Sequence, residues 1–134
     1  MDSGDDPELA AIRARRMAQL QRGAAAVADG PVTLMDASFD AFVAAHATVV
    51  VDCWAPWCPP CRAMSPIIDE LSRTWAGKVT FGKLNTDDNQ RTAARFGIMS
   101  IPTLLIFVNG KFADQVVGLP PKAQLIQLLS PLAA

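Results

Sequence analysis

Apolar residues follow two rhythms along this chain. From Thr48 to Trp54 they run almost without a break, Val49-Val50-Val51-Asp52-Cys53-Trp54, as in a strand covered on both faces. Between residues 60 and 75 they recur at helical spacing, at Met64, Ile67, Ile68, Leu71 and Trp75, the stripe of a helix that faces a core. The rest of the chain divides in the same way. Strands are expected at Val32-Thr33-Leu34, Val79 to Asn85, Thr103 to Val108 and Lys111 to Val117. Asn109-Gly110 joins the last two as a hairpin turn of the favoured kind. Further helices are expected from a Ser38 cap through Phe39, Phe42 and Val43 to about His46, and from Asp87 or Asp88 to a glycine stop at Phe96-Gly97. A closing helix is expected from Lys122 to Leu132. The order β-α-β-α-β-α-β-β-α predicts an α/β domain with a central mixed β-sheet of four to five strands, flanked by helices on both faces.

Residues 1 to 30 read differently. Asp6-Pro7-Glu8 is a helix start, and a helix to about Arg22 would carry Leu9, Ile12, Met17 and Leu20 loosely on one side, with Arg13 and Arg16 among them. Ala24 to Gly30 reads as a linker. The expectation is an N-terminal helical arm and linker over 1–30 and a compact domain over 31–134. The arm is either a loosely held terminus, the ordinary case, or a docking element.

Composition narrows the class. The 134 residues are 51% hydrophobic and 19% charged, which suits a folded domain. A formal net charge of −1 offers no bulk attraction to nucleic acid or to an anionic membrane. No apolar run approaches the ~18 residues of a membrane span. The first twenty residues lack the apolar segment of a signal peptide, so a cytoplasmic protein is expected. Three cysteines are too few for a disulfide scaffold of this size and suit a working pair plus a bystander.

That pair lies in Trp57-Cys58-Pro59-Pro60-Cys61, where the buried-strand pattern gives way to the helix pattern. A sulfur at a helix start meets unpaired N–H groups and the positive end of the dipole, both of which favour a thiolate. A second thiol three residues on can close a disulfide with it, so the segment reads as a dithiol–disulfide site. Cys58, at the expected exposed end of the junction, is assigned as the attacking thiolate, and Cys61, one turn in, as the resolving thiol. Pro59 and Pro60 are tolerated because first-turn N–H groups have no helical partner to lose. A structural zinc site would need two more ligands. Only Cys53 and His46 are on offer, and neither has metal-site spacing. His46 reads as a helix-end residue, and neither a metal nor another cofactor is expected. Asp52 is a carboxylate inside an apolar strand, where burial without a partner is costly, so it is either a satisfied buried group or part of the site.

With Pro66, Lys83-Leu84-Asn85, Gly97-Ile98-Met99-Ser100-Ile101-Pro102-Thr103, Phe107-Val108-Asn109-Gly110 and Val117-Gly118 following in order, the run from Val51 to Cys61 resembles the thioredoxin family. The resemblance covers about residues 31 to 134. It implies a thioredoxin fold and a disulfide reductase acting on protein disulfides, with a thioredoxin reductase as electron donor. It implies that Asp52 relays a proton to or from Cys61, with Lys83 in the adjacent strand as its partner. It implies that the Ile101-Pro102 bond is cis and packs against the dithiol. Backbone beside Pro102 could then pair with an extended substrate, and Trp57, Ile101, Pro102, Val117 and Gly118 would form an apolar docking rim around Pro59 and Pro60. Trp54 reads as core, and Pro66, inside a helix, as family architecture.

Two positions depart from the family pattern. Pro59 stands where glycine is commonest, which stiffens the loop and removes an N–H that could face Cys58. Cys53 replaces an aromatic residue and reads as a small buried hydrophobe. Two other readings stay open on sequence: a more oxidising thiol oxidase or isomerase, and a non-catalytic docking module of the same fold.

Overall fold

In the computed structural model, residues 30–134 are described, so the arm expected over 6–22 and most of its linker lie outside the described residues. The chain runs β1 (Val32–Leu34), α1 (Phe39–Ala45), β2 (Thr48–Trp54), α2 (Pro59–Thr74), β3 (Thr80–Asn85), α3 (Gln90–Arg95), β4 (Thr103–Val108), β5 (Lys111–Val117) and α4 (Lys122–Leu129), ending in a 3₁₀ turn, Ser130–Ala133. The strands form one five-stranded mixed sheet in the order β1-β3-β2-β4-β5. β1 and β2 are parallel to β3, while β4 is antiparallel to both β2 and β5. The strand with the longest apolar run, β2, therefore sits at the centre.

Strand alternation sorts its side chains onto two faces. Val50 joins Leu104, Ile106 and Phe81 under α2 and α4, which contribute Met64, Ile68, Leu71, Leu125 and Leu129. Val49, Val51 and Cys53 join Leu105, Phe107 and Leu84 on the other face, under Phe39, Phe42 and Val43 of α1 and Phe96 beyond α3. Asp52 shares the parity of Val50, which puts its carboxyl on the α2 face. A Cβ built at Gly82 would lie 2.6 Å from Leu34 Cδ1 of β1 and 3.3 Å from Phe42 Cε2 of α1, so any larger residue requires these buried side chains to shift.

Element boundaries shift where side chains do other work. Ser38 is the residue before α1, but its hydroxyl turns back to Met35, accepting from the Met35 N–H at 3.0 Å and donating to the Met35 carbonyl. α3 starts after Asn89 rather than at Asp87 or Asp88. Asn89 does not cap it either: its amide bonds the Asn85 carbonyl and accepts from the Asp36 N–H. The cap comes from outside the helix, with Asp36 Oδ1 accepting from the Thr92 N–H at 2.9 Å and from the Thr92 hydroxyl at 2.6 Å. These bonds hold the Asp36 carboxyl below its usual range. At the other end of α3, Gly97 takes φ +62° and Ile98 N–H reaches back to the Ala93 carbonyl, the glycine stop expected. α4 ends at Leu129 instead of Leu132 because Pro131 has no N–H for the Gln127 carbonyl, and the Ser130 hydroxyl fills that bond at 3.2 Å. Asn109 and Gly110 both have positive φ, as a two-residue hairpin turn requires. His46 is the C-cap of α1, packed on Phe42.

Candidate active site

The dithiol is built by a turn and a helix start. Ala55 to Cys58 close a turn through the Cys58 N–H and the Ala55 carbonyl at 3.2 Å, so α2 leaves the end of β2 at once. The first turn of a helix usually leaves unpaired N–H groups. Here Pro59 and Pro60 have none, and the Cys61 N–H donates to Cys58 Sγ at 3.2 Å. Cys58 is thus the N-cap of α2, with its sulfur standing where a capping oxygen would. The two sulfurs are in disulfide contact across a Cα–Cα distance of 5.2 Å. Among backbone N–H groups of the described residues, Cys61 is the one that reaches the Cys58 sulfur, consistent with the N–H that Pro59 removes.

Cys58 was expected at an exposed end, but the residue is only 3% exposed, about as buried as Cys61. The two cysteines pack with Ala55 against Trp54 and Ile101, and Cys58 Sγ lies 3.8 Å from the Ile101 carbonyl oxygen. Burial of the pair comes from this packing with Ala55, Trp54 and Ile101.

The Ile101-Pro102 bond is cis. Ile101 is half-buried beside the dithiol, whereas Pro102, expected on the rim, is buried beneath it. The Pro102 carbonyl accepts from the Gly118 N–H at 2.8 Å and is used within the sheet. Trp57 is 65% exposed and Val117 58% exposed, with Gly118 half-buried beside Val117, so these three remain at the surface. Pro59 and Pro60 are exposed as well. The Trp57 indole N–H donates to Asp87 Oδ2 at 2.9 Å, which fixes the ring. Trp57 and Ile101 share an open groove with Thr86, Ala93, Ile98, Met99 and Ser100. Met99 is 95% exposed there. The motif around Met99 was visible in sequence; its place in a groove with Trp57, more than forty residues away, depends on packing.

Asp52, on the α2 face of β2, is 0% exposed. Neither carboxylate oxygen has a hydrogen-bond partner among the described residues. Burial pushes its pKa up from 3.8 to about 7, with Lys83 opposing the rise and Asp69 adding to it. Lys83 is the register neighbour of Asp52 on β3, as expected, but the two form no ion pair. The Lys83 ammonium donates instead to Ser65 Oγ on α2 at 2.8 Å and lies 5.1 Å from the centre of the Trp54 ring. Trp54, expected as core, is half-buried and belongs to this neighbourhood. Cys53 lies on the opposite face of the sheet at 0% exposure, and burial next to Asp52 pushes its thiol up to about 12.

Comparison with known proteins agrees with this geometry. The thioredoxin family model matches residues 30–131. A thioredoxin of Alicyclobacillus acidocaldarius is 48% identical over 94 residues, covering 70% of this chain and 90% of that protein. A thioredoxin of Synechocystis is 52% identical over 95 residues, with 70% and 89% covered. The M-type chloroplastic thioredoxin of Pisum sativum is 54% identical over 91 residues, or 67% of this chain, but the match spans only 53% of the pea protein. Among solved structures, the N21Q mutant thioredoxin from Halobacterium salinarum superimposes with a TM-score of 0.72 at 27% identity, covering 79% of this chain and 93% of that one. No described helix is long and apolar enough to cross a membrane. With a family match over most of its length and two cysteines in disulfide contact at a helix start, this chain belongs to the thioredoxin family and is a thiol–disulfide oxidoreductase.

Proposed function

We propose that the chain reduces protein disulfides, with Cys58 as attacking and Cys61 as resolving thiol. The observation that carries this reading is the placement of Cys58 Sγ as the cap of α2, hydrogen-bonded by the Cys61 N–H. A helix start favours the thiolate form, so Cys58 is the better nucleophile of the two.

In the reduced protein the Cys58 thiolate attacks one sulfur of a substrate disulfide. That bond breaks, a mixed disulfide forms, and one substrate thiolate leaves. Cys61 then passes its proton to Asp52 and attacks Cys58 Sγ, and the second substrate thiolate departs and is reprotonated. The substrate gains two electrons and two protons, and the protein is left as the Cys58–Cys61 disulfide. Asp52 suits this exchange because a carboxyl with a pKa of about 7 both takes and returns a proton near neutrality. Lys83 tempers that value from the next strand. Substrate would approach by the groove of Trp57 and Ile101, with Val117 and Gly118 at its margin. No bound cofactor is needed; the electrons come back from a thioredoxin reductase. The proposed location is the cytoplasm, where a lone cysteine pair would be kept cycling.

Insulin reduction by wild type and Cys58→Ser tests the reading. Wild type should precipitate insulin and Cys58→Ser should not, while Cys61→Ser should trap the mixed disulfide. Absence of turnover in wild type would leave a docking module as the better account.

A further inference from the structure

Two acceptors compete for one ammonium in this site. Lys83 Nζ takes Ser65 Oγ at 2.8 Å, while Asp52, its register neighbour, keeps both oxygens without a protein partner. A charged acceptor ordinarily makes the stronger bond, by roughly twofold. The neutral hydroxyl wins here because of where α2 puts it. Ser65 lies one helical turn beyond Cys61, on the side of α2 that faces the sheet, and is half-buried over β3. The Lys83 ammonium also lies over the Trp54 ring, 5.1 Å from its centre, which leaves it between that ring and Ser65.

We propose that Ser65 is a positioning residue for disulfide exchange: its hydroxyl, with the Trp54 ring, keeps the Lys83 ammonium off Asp52, so that the carboxyl stays unpaired and able to take the Cys61 proton. The inference rests on the relay role given to Asp52 above. The other groups on this face are consistent with it. From α2 the charged neighbour is Asp69, a like charge that cannot replace Lys83. From β4 the residue opposite is Leu104, and α4 contributes Leu125 and Leu129, all apolar. Lys83 is thus the one cation that acts on Asp52 among the described residues, and Ser65 determines how near it comes. Without Ser65 the unpartnered carboxylate of its register neighbour is the acceptor left to the ammonium on this face.

The test is a carbon-13 carboxyl NMR titration of Asp52 in the reduced protein, beside the pH profile of insulin reduction. Ser65→Ala should lower the Asp52 midpoint by about one pH unit as Lys83 closes on it, and the activity profile should move with it. Ser65→Thr keeps a hydroxyl and should restore both. Lys83→Met should raise the midpoint, and adding Ser65→Ala to Lys83→Met should then change nothing, because Ser65 acts only through Lys83. A midpoint that stays or rises in Ser65→Ala, or that falls equally in the Lys83→Met background, overturns the proposal. Failure of the underlying relay would show separately, as an Asp52→Asn protein that exchanges disulfides at the wild-type rate.

Discussion

Asp52→Asn should stabilise this protein by an amount that grows with pH. The carboxyl is 0% exposed and has no hydrogen-bond partner among the described residues. Its pKa is raised from 3.8 to about 7, chiefly by burial. At a pH below the unfolded value both states carry the proton, and Asp and Asn differ little. Between the unfolded and folded values the unfolded chain releases the proton and the folded one retains it. Stability of the wild type therefore falls by ~1.4 kcal/mol for each pH unit in that window. Across the interval from 3.8 to about 7 the sum is ~4 kcal/mol if the site stays dry. Relaxation and water entry around the charged form reduce it, so a gain of ~2 kcal/mol in the asparagine protein is expected above the folded pKa. Guanidinium unfolding of the two oxidised proteins at about four values between pH 4.5 and 8.5, with m-values compared, measures the difference directly. A difference that does not change with pH, or an asparagine protein that is less stable at the alkaline end, would refute the reasoning.

Three further outcomes follow from the packing. Gly82→Ala should cost ~1–3 kcal/mol in thermal unfolding, because the new methyl forces Leu34 and Phe42, themselves 1% and 8% exposed, to shift within a packed core; an unchanged Tm would contradict that closeness. Asp36→Asn should lower Tm at neutral pH by weakening the cap on α3. The Asp36 pKa is depressed in the fold, so the wild type itself loses this contribution as pH falls through the folded value, and the two proteins should converge there; a gap that persists in acid would mean the carboxylate charge is irrelevant. Cys53 should resist alkylation by iodoacetamide in the folded, reduced protein, since its thiol is buried and pushed up to about 12; mass-spectrometric labelling of Cys53 before unfolding would contradict this.

Much of the site was legible because its signals are local. Cys58 and Cys61 sit three residues apart at a change of periodicity, and Asp52 stands out as the one charge in an apolar strand. Such features fix which residues carry chemistry. They do not fix what touches what. Cys58 was expected exposed and is 3% exposed, because Ile101, more than forty residues on, packs with Trp54 against the pair. Pro102 was expected on the surface and lies below it, its carbonyl bound by Gly118. The register pairing of Lys83 with Asp52 was foreseen, but not the capture of its ammonium by Ser65.

Element order, the α/β class, the hairpin at Asn109-Gly110 and the position of the dithiol at a strand-to-helix junction are all written in the residues. Each depends on periodicity, turn chemistry or spacing within a few residues, which the chain carries before it folds. The cap on α3 by Asp36, 56 residues from Thr92, the groove shared by Trp57 and Met99, and the isolation of the Asp52 carboxyl emerge on folding. These are contacts between segments far apart in sequence. Which of several acceptors a side chain takes is settled by the geometry of packed helices and strands, and no local pattern records it.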